Sequence, residues 1–385
     1  MKDIIIKIVV VFLTVVVLVA SIKGTISIIK ENDNAKVTEE QTEIVSETTT
    51  EATTEKITEA ITTESTTTEA TTELTTEAVT EMTTEELTVE DDRDAPVFLI
   101  FSENVEVRQG DTFDVNDYVG YGDDVDRNPS LTVTGEVDTS VLGSYPLTLT
   151  LTDEAGHSKV ENMNVHVVSE FTQSEGRPKE DFSTFSSNYK TDNTVLGIDV
   201  SRWQENIDFE QVKNAGCEFV IIRIGGYDDG SQYEDKYYQT NIRNAKAAGL
   251  KVGIYWHAEE SSLEEIKSNV AYMMGILNGE ELDFPIVYDW EDFTSFQNYN
   301  MNLHDLNTCF EAFYNEVKAY GYDACIYSSK NFLEKVWTNK NHHPVWLAHY
   351  TERTDYMGEY FMWQQGSTGQ IAGINTDVDF DILYK

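Results

Sequence analysis

The sequence predicts a multidomain chain. Its last half is an irregular, TIM-like (β/α) barrel of the α/β class, preceded by an all-β sandwich, a disordered stalk and an N-terminal apolar helix. Three observations predict this. Residues 31–93 collapse to a Thr- and Glu-rich tract, residues 94–169 carry short strands that alternate, and residues 194–385 switch to continuous apolar runs separated by helical stretches. A chain of 385 residues has room for all of these parts.

The first 30 residues read as an export segment. Lys2 and Lys7 precede a nearly unbroken apolar run from Ile8 to Ile22, closed by Lys23. Positive charge ahead of an apolar core is the pattern of a signal peptide or signal anchor. Val19-Ala20-Ser21 is a poor cleavage match, and Ile26, Ile28 and Ile29 extend the run, so an uncleaved anchor is the expectation, with the rest of the chain extracellular or at the cell surface. The membrane is then touched only through this segment.

The tract from 31 to 93 repeats Thr-Thr-Glu, as at Thr53-Thr54-Glu55, Thr62-Thr63-Glu64 and Thr75-Thr76-Glu77. It holds too little apolar surface to offset chain entropy, and like charges extend it. A stalk is expected, with threonines that suit O-glycosylation.

From Asp94-Ala95-Pro96 onward the pattern changes. Val97-Phe98-Leu99-Ile100, Val105-Glu106-Val107, Leu131-Thr132-Val133, residues 145–151 and Val165-His166-Val167-Val168 are short strands punctuated by Gly, Asp and Asn. That spacing predicts an antiparallel sandwich over 94–169. The runs Val133-Thr134-Gly135-Glu136-Val137-Asp138-Thr139, Gly143-Ser144-Tyr145 and Thr152-Asp153-Glu154-Ala155-Gly156-His157 resemble a bacterial immunoglobulin-like surface domain. By that resemblance the segment is a spacer without catalytic residues. A polar linker is expected over 170–193.

In residues 194–385, eight runs read as buried strands. They begin with 195–200, 219–224, 251–256 and 285–291, and continue with 324–327, 345–348, 360–364 and 377–380. Continuous apolar character marks strands buried on both faces. Helical patterns separate the first five. Leu303, Leu306, Phe310, Phe313 and Val317 share one face, and Gly216, Gly249 and Gly321 stand at helix ends. Five strand–helix units followed by three strands with short links predict a barrel of eight strands, irregular in its last third.

Bulk charge narrows the function. With 69 acidic against 27 basic residues, the net charge is −42, which excludes nucleic acid as a partner because a phosphate backbone needs a basic patch. Three cysteines make no disulfide framework, and no CxxC or HExxH pattern points to a metal, so neither metal nor cofactor is expected. Cys309 and Cys325 are expected as buried thiols, and the histidines as surface residues.

Barrel chemistry sits at the mouth formed by the strand ends. Asp199 on the first strand, Asp289 and Glu291 on the fourth and Asp379 on the eighth fall there. Residues two apart on a strand share a face, roughly 6.5–7 Å apart at their bases, so Asp289 and Glu291 both point at the mouth and Trp290 away. Two neighbouring carboxyls with split proton affinities suit glycoside hydrolysis, one donating a proton while the other stays charged. Glu291 has the longer arm and is assigned as the acid. Tyr255, Trp346, Tyr350 and Trp363 offer rings on which sugar faces stack. Arg223, on a buried strand, needs an acidic partner, and Asp199 or Asp289 would serve.

Leu196-Gly197-Ile198-Asp199-Val200-Ser201-Arg202-Trp203-Gln204, Phe219-Val220-Ile221-Ile222-Arg223 and Tyr288-Asp289-Trp290-Glu291 resemble glycoside hydrolase family 25, the muramidases of the Chalaropsis lysozyme type. Trp346-Leu347-Ala348-His349-Tyr350, Trp363-Gln364 and Val378-Asp379-Phe380-Asp381 extend the likeness to the C-terminus. The resemblance implies that Glu291 donates the proton and that Asp289 orients the acetamido group or acts as nucleophile. Asp199 and Asp379 then match two further active-site aspartates. It also implies cleavage of the β-1,4 bond between N-acetylmuramic acid and N-acetylglucosamine in peptidoglycan; separately, a monomer is expected. Tyr255-Trp256-His257 departs from the aromatic pair expected after the third strand. Two other readings stand beside this one: a chitinase-like endo-N-acetylglucosaminidase, and a catalytically inactive wall-binding module.

Overall fold

The computed structural model describes residues 87–172 and 176–385. The expected apolar helix, and the stalk up to residue 86, lie outside the described residues.

Of the residues expected as stalk, 87–93 are described. Thr88 and Asp91 close a turn, and Asp92 is buried. The sandwich follows. Its larger sheet has the order β2 (Asn104–Arg108), β6 (Ser158–Val168), β5 (Gly143–Thr152), β4 (Ser130–Thr134). A small pair, β1 (Val97–Ile100) with β3 (Gly120–Gly122), completes it. Alternation works as expected: Leu147, Leu149 and Leu151 of β5 and Met163 and Val165 of β6 point into one core with Phe98, Val105 and Val107. One strand breaks the antiparallel expectation, since β2 runs parallel to β6. A long excursion through β3, β4 and β5 separates the two strands, and only a hairpin link would force antiparallel pairing.

The segment 170–193 is more than a linker. β7 (Glu180–Asp181) pairs with the barrel, and residues Phe182–Tyr189 form a helix with Phe182 and Phe185 buried. Both rings pack on Phe380, with centroids 5.2 and 4.7 Å away.

Eight strands close the barrel: β8 (Thr194–Val200), β9 (Phe219–Asp228), β11 (Lys251–Ala258), β12 (Ile286–Trp290), β13 (Ala324–Ser329), β14 (Val345–Ala348), β15 (Met362–Gln370) and β16 (Val378–Tyr384). A side strand, β10 (Ser231–Glu234), forms a hairpin with β9. Strands β8 to β15 of the ring pair in parallel, but β16 is antiparallel to both β15 and β8. That departs from the all-parallel ring of a TIM barrel, and it does so in the last third, where the sequence predicts irregularity. A parallel return needs a crossover of a dozen or more residues, and the link from β15 to β16 is residues 371–377. With no crossover helix there, the helix Phe182–Tyr189 covers the outer face of β15 and β16 instead.

The two domains meet over a close-packed junction. Gly120 lies against the backbone of Phe293, where a Cβ would stand 1.9 Å from the Phe293 carbonyl oxygen, so only glycine fits. Around it, Leu303 N donates to Asp123 O (2.7 Å), Asn302 Nδ2 to Val125 O (2.6 Å), and Arg127 grips Asp305 through two nitrogens.

Candidate active site

Strand alternation decides what the barrel mouth contains. The inward-facing positions nearest the mouth are Asp199 (β8), Arg223 (β9), Tyr255 (β11), Asp289 (β12), Tyr327 (β13), Gln364 (β15) and Asp379 (β16), with Glu291 one step past β12. Below them Val195, Phe219, Ile221, Val287, Cys325, Trp346 and Met362 fill the interior. Asp379 stands directly opposite Asp199 in the β16–β8 register. It lies at the start of its strand, not at the end as expected. Because β16 runs backwards, that start reaches the same mouth.

The four acids sit at two depths. Asp199 and Asp289 are 7% and 6% exposed, while Glu291 and Asp379 are half-buried. Gln364 ties the floor together: its Nε2 donates to Asp199 Oδ2 (2.7 Å), and its Oε1 accepts from the hydroxyls of Tyr327 (2.7 Å) and Tyr350 (2.9 Å). Beneath, Trp346 Nε1 donates to Asp381 Oδ1 (3.0 Å), and Asp381 shares a hydrogen bond with Asp199. Two carboxyls can share such a bond only if one holds a proton.

Crowded carboxyls in a dry site cannot all ionise. Burial, then the Asp199 charge, pushes Glu291 up to about 7. Burial also lifts Asp199 to about 6, against the opposing pull of its Gln364 and Asp381 hydrogen bonds and the Arg223 charge. Asp289 is raised well above the usual carboxylate range by burial and by Glu291 and Asp199, with Arg223 acting the other way. Asp379 is raised by burial and by Asp199 and Glu291. Asp289, Glu291 and Asp379 each feel the Asp199 charge, and Asp379 faces Asp199 in register, so the structure brings all four expected carboxyls into one cluster.

The expected supporting residues divide. Tyr255 is half-buried and feels the charges of Arg223, Asp199 and Asp289, and Tyr350 reaches Gln364, so both belong to the mouth. Trp346 points inward but is buried below the acids and serves Asp381, which corrects its reading as a sugar platform. Trp363 is on the outer face, donating to His349 O (2.8 Å) and packing on Tyr189. On β15 its neighbour Gln364 is the residue that faces the site. Arg223 pairs with neither Asp199 nor Asp289: its Nε donates to Asp235 Oδ2 (2.8 Å), and both side chains are buried. Asp235 in turn accepts from the backbone N–H groups of Arg202 and Tyr237. Arg223 thus acts on the acids by its field.

Sequence reasoning missed Gln364, Tyr327, Asp381 and Asp235. Gln364 and Asp381 lie two residues along their strands from Met362 and Asp379, so the period of two could have found them. Tyr327 shares a register position with Asp289. Asp235, in a loop, carries no such signal. Trp203, 39% exposed with the Arg202 guanidinium 4.9 Å from its ring centroid, was also left out. Nor is His343 a surface residue: its ring is buried and contacts Glu311 at 2.8 Å. Cys309 and Cys325 are buried free thiols.

Residues 198–374 match the model of glycosyl hydrolases family 25, and residues 101–167 that of the bacterial surface protein Ig-like domain. The C-terminal unit is a family 25 glycosyl hydrolase domain. Among its relatives, the uncharacterized protein YegX of Escherichia coli strain K12 is 29% identical over 200 residues, which is 49% of this chain and 70% of that one. The autolytic lysozyme of Clostridium acetobutylicum is 26% identical over 189 residues, 49% of this chain and 55% of its own. The crystal structure of the bacterial lysozyme from Streptomyces coelicolor is 24% identical, covers 50% of this chain and 92% of that one, and superposes with a TM-score of 0.42. The family 25 region thus accounts for about half of the chain, and the immunoglobulin-like domain precedes it.

Proposed function

We propose that the barrel is a muramidase that hydrolyses the β-1,4 bond between N-acetylmuramic acid and N-acetylglucosamine in peptidoglycan. The observation that carries this reading is the convergence of Asp199, Asp289, Glu291 and Asp379 on one barrel mouth, with the proton affinity of Glu291 lifted to about 7. In this reading the half-buried Glu291, protonated near neutral pH, donates to the glycosidic oxygen as the C–O bond breaks. Asp289, deeper in the site, faces the reacting sugar and orients its acetamido group or attacks the anomeric carbon. Water then supplies the hydroxyl at that carbon, and a proton returns to Glu291. Asp199, held by Gln364 and lifted only to about 6, is the acid that keeps a negative charge in the mouth near neutral pH, which favours the positive charge that builds on the sugar ring in the transition state, and Asp379 stands beside it.

Tyr255, Tyr350 and the exposed Trp203 are the rings proposed to meet the glycan. The immunoglobulin-like domain acts as a spacer that presents the barrel to the wall, and the enzyme works as a monomer. Residues 1–30 are proposed to export the chain and hold it at the cell surface. A protease-accessible barrel on intact cells would support that placement, and a barrel found only in the cytosol would refute it.

The activity is tested by digesting purified peptidoglycan, reducing the products with borohydride and identifying the new ends by mass spectrometry. Muramitol ends are expected. Glucosaminitol ends would make the enzyme an N-acetylglucosaminidase, and no release would leave a wall-binding module.

A further inference from the structure

A second group of acids, separate from the four of the barrel mouth, lies at the start of the immunoglobulin-like domain and in its loops. Asp92, Asp123 and Asp124 each present an oxygen, and these atoms all lie within 4.8 Å of one another. Asp92, Asp153 and His157 form a second such group that shares Asp92. The residues come from three separate stretches: the turn before β1, the loop after β3 and the loop after β5.

Asp123 and Asp153 divide their two oxygens in the same way. Asp123 Oδ1 accepts from the backbone N–H groups of Val125 (2.9 Å) and Asp126 (2.6 Å), which shapes the loop. Its Oδ2 is buried and makes no hydrogen bond, on a residue only 1% exposed. Asp153 Oδ1 accepts from His157 N (2.8 Å), and its buried Oδ2 likewise makes no hydrogen bond. One oxygen fixes the backbone and the other is left toward the cluster. Unbonded carboxylate oxygens in a dry site are unfavourable unless something positive meets them. His157 stands within ion-pair distance of part of the group, its Nδ1 3.6 Å from Asp92 Oδ1 and 3.3 Å from Asp153 Oδ2, whereas Asp123 Oδ2 has no such neighbour.

We infer that Asp92, Asp123, Asp124 and Asp153 form a calcium site that fastens the immunoglobulin-like domain to the barrel. Four carboxylates on loops are the donor set of a hard cation, and calcium takes six to eight oxygens at about 2.3–2.6 Å in adaptable geometry. Two oxygens on opposite sides of such an ion lie roughly 4.6–5.2 Å apart, so Asp92, Asp123 and Asp124, within 4.8 Å of one another, need not collapse to hold it, and Asp153 joins through the second group, which shares Asp92. Magnesium demands a tighter octahedron and keeps its waters.

The position gives the site a purpose. The loop that supplies Asp123 and Asp124 also carries the junction, through Asp123 O to Leu303 N, Val125 O to Asn302 Nδ2, and Arg127 to Asp305. An ion gripping Asp123 and Asp124 from one side would hold the backbone that receives the barrel helix Leu303–Ala319 on the other.

Calcium chloride titrated calorimetrically into the chelator-stripped full chain should report one ion per molecule and raise its melting temperature. Asp124→Asn should weaken binding by at least on the order of tenfold while the ion-free protein melts as before. Asp123→Asn, which keeps the Oδ1 acceptor, should lose binding entirely. Because Asp124 is half-buried, its variant remains informative if the Asp123 variant fails to fold. The inference is overturned if stripped protein shows neither heat nor a melting shift beyond a sodium chloride control. It is equally overturned if both variants bind calcium like the parent, or if only zinc binds and His157→Ala abolishes that binding. None of these outcomes depends on whether the barrel cleaves glycan.

Discussion

The barrel mouth and the domain junction both crowd aspartates into dry surroundings, yet they arrange them differently. At the mouth the acids stand on strands, and side chains engage two of them: Gln364, Tyr327, Tyr350 and Trp346 form a chain that ends on Asp199 and Asp381, while Asp289 Oδ1 and Asp381 Oδ2 make no hydrogen bond and lie among the other acids. At the junction the acids stand on loops, and backbone N–H groups take one oxygen of Asp123 and of Asp153 while the other is left unbonded. Side-chain donors adjust proton affinity, which is what acid catalysis requires. Unsatisfied oxygens converging from several loops instead ask for a cation. The residue type is the same, and the neighbours decide the chemistry.

The largest expected effect tests the mouth directly. Glu291→Gln keeps the size and loses the proton, so release from peptidoglycan should fall on the order of 10²–10⁴-fold with an unchanged fold by circular dichroism. Activity within a factor of a few of the parent would remove Glu291 from its role. Next comes Gln364→Leu, which breaks the donor to Asp199. One hydrogen bond to a charged group is worth about 1.5–3 kcal/mol, so kcat should fall roughly ten- to hundredfold while KM changes little. Because that bond lowers the proton affinity of Asp199, the acidic limb of the pH profile should also move upward. A loss of rate with an unmoved profile would mean that Gln364 only packs.

The proton affinities make a third, smaller prediction about stability. Asp199 and Glu291 are raised in the folded state to about 6 and about 7, above their ordinary values near 4. The folded protein therefore holds these protons more tightly than the unfolded chain does. That contribution is complete below about pH 4 and is lost as pH rises through 6 and 7. The melting temperature should climb as pH is lowered from 8 toward 5.5. Glu291→Gln should be more stable than the parent at pH 8 and match it near pH 4. A parent that melts lower at 5.5 than at 8, with no advantage for the variant, contradicts the buried cluster.

Much of this was legible in the sequence, for a physical reason. Strands buried on both faces are apolar throughout, and charged residues within them stand out, so Asp199, Asp289 and Asp379 could be placed before any coordinates. Direction was not legible: Val378-Asp379-Phe380 reads the same whichever way the strand runs, and only the short 371–377 link hints that it turns back. Tryptophans were misleading for a related cause. An indole suits the outer face, the interior and a sugar platform equally, and only strand parity separates Trp363 from Gln364. The helix Phe182–Tyr189 was hidden among Ser, Thr and Asn because two phenylalanines suffice to dock it. Asp235 was hidden for another cause: it meets Arg223 across the hairpin of β9 and β10, whose short strand Ser231–Glu234 carries no apolar pattern to announce it.

Parity itself can be tested with a modest effect. Trp363→Phe should keep most of the outer-face packing on Tyr189 and lose the hydrogen bond to His349 O, destabilising the protein by about 0.5–1.5 kcal/mol. Activity per folded molecule should not change. A selective loss of affinity for glycan at full stability would return Trp363 to the groove.

The smallest effect belongs to the junction. Arg127 and Asp305 form a two-point ion pair, but the arginine side chain is 40% exposed, and such pairs are typically worth about 0.2–1 kcal/mol. Asp305 keeps a second task when the arginine is removed, since its Oδ2 accepts from Asn302 N (3.1 Å) at the start of the helix Leu303–Ala319. Arg127→Ala should therefore lower the melting temperature by no more than a few degrees, and less in high salt, where the pair is already screened. If the cation site is what holds the loop, adding calcium should restore most of that loss. A large, salt-independent drop that calcium leaves untouched would mean that the ion pair, and not the aspartate cluster, carries the junction.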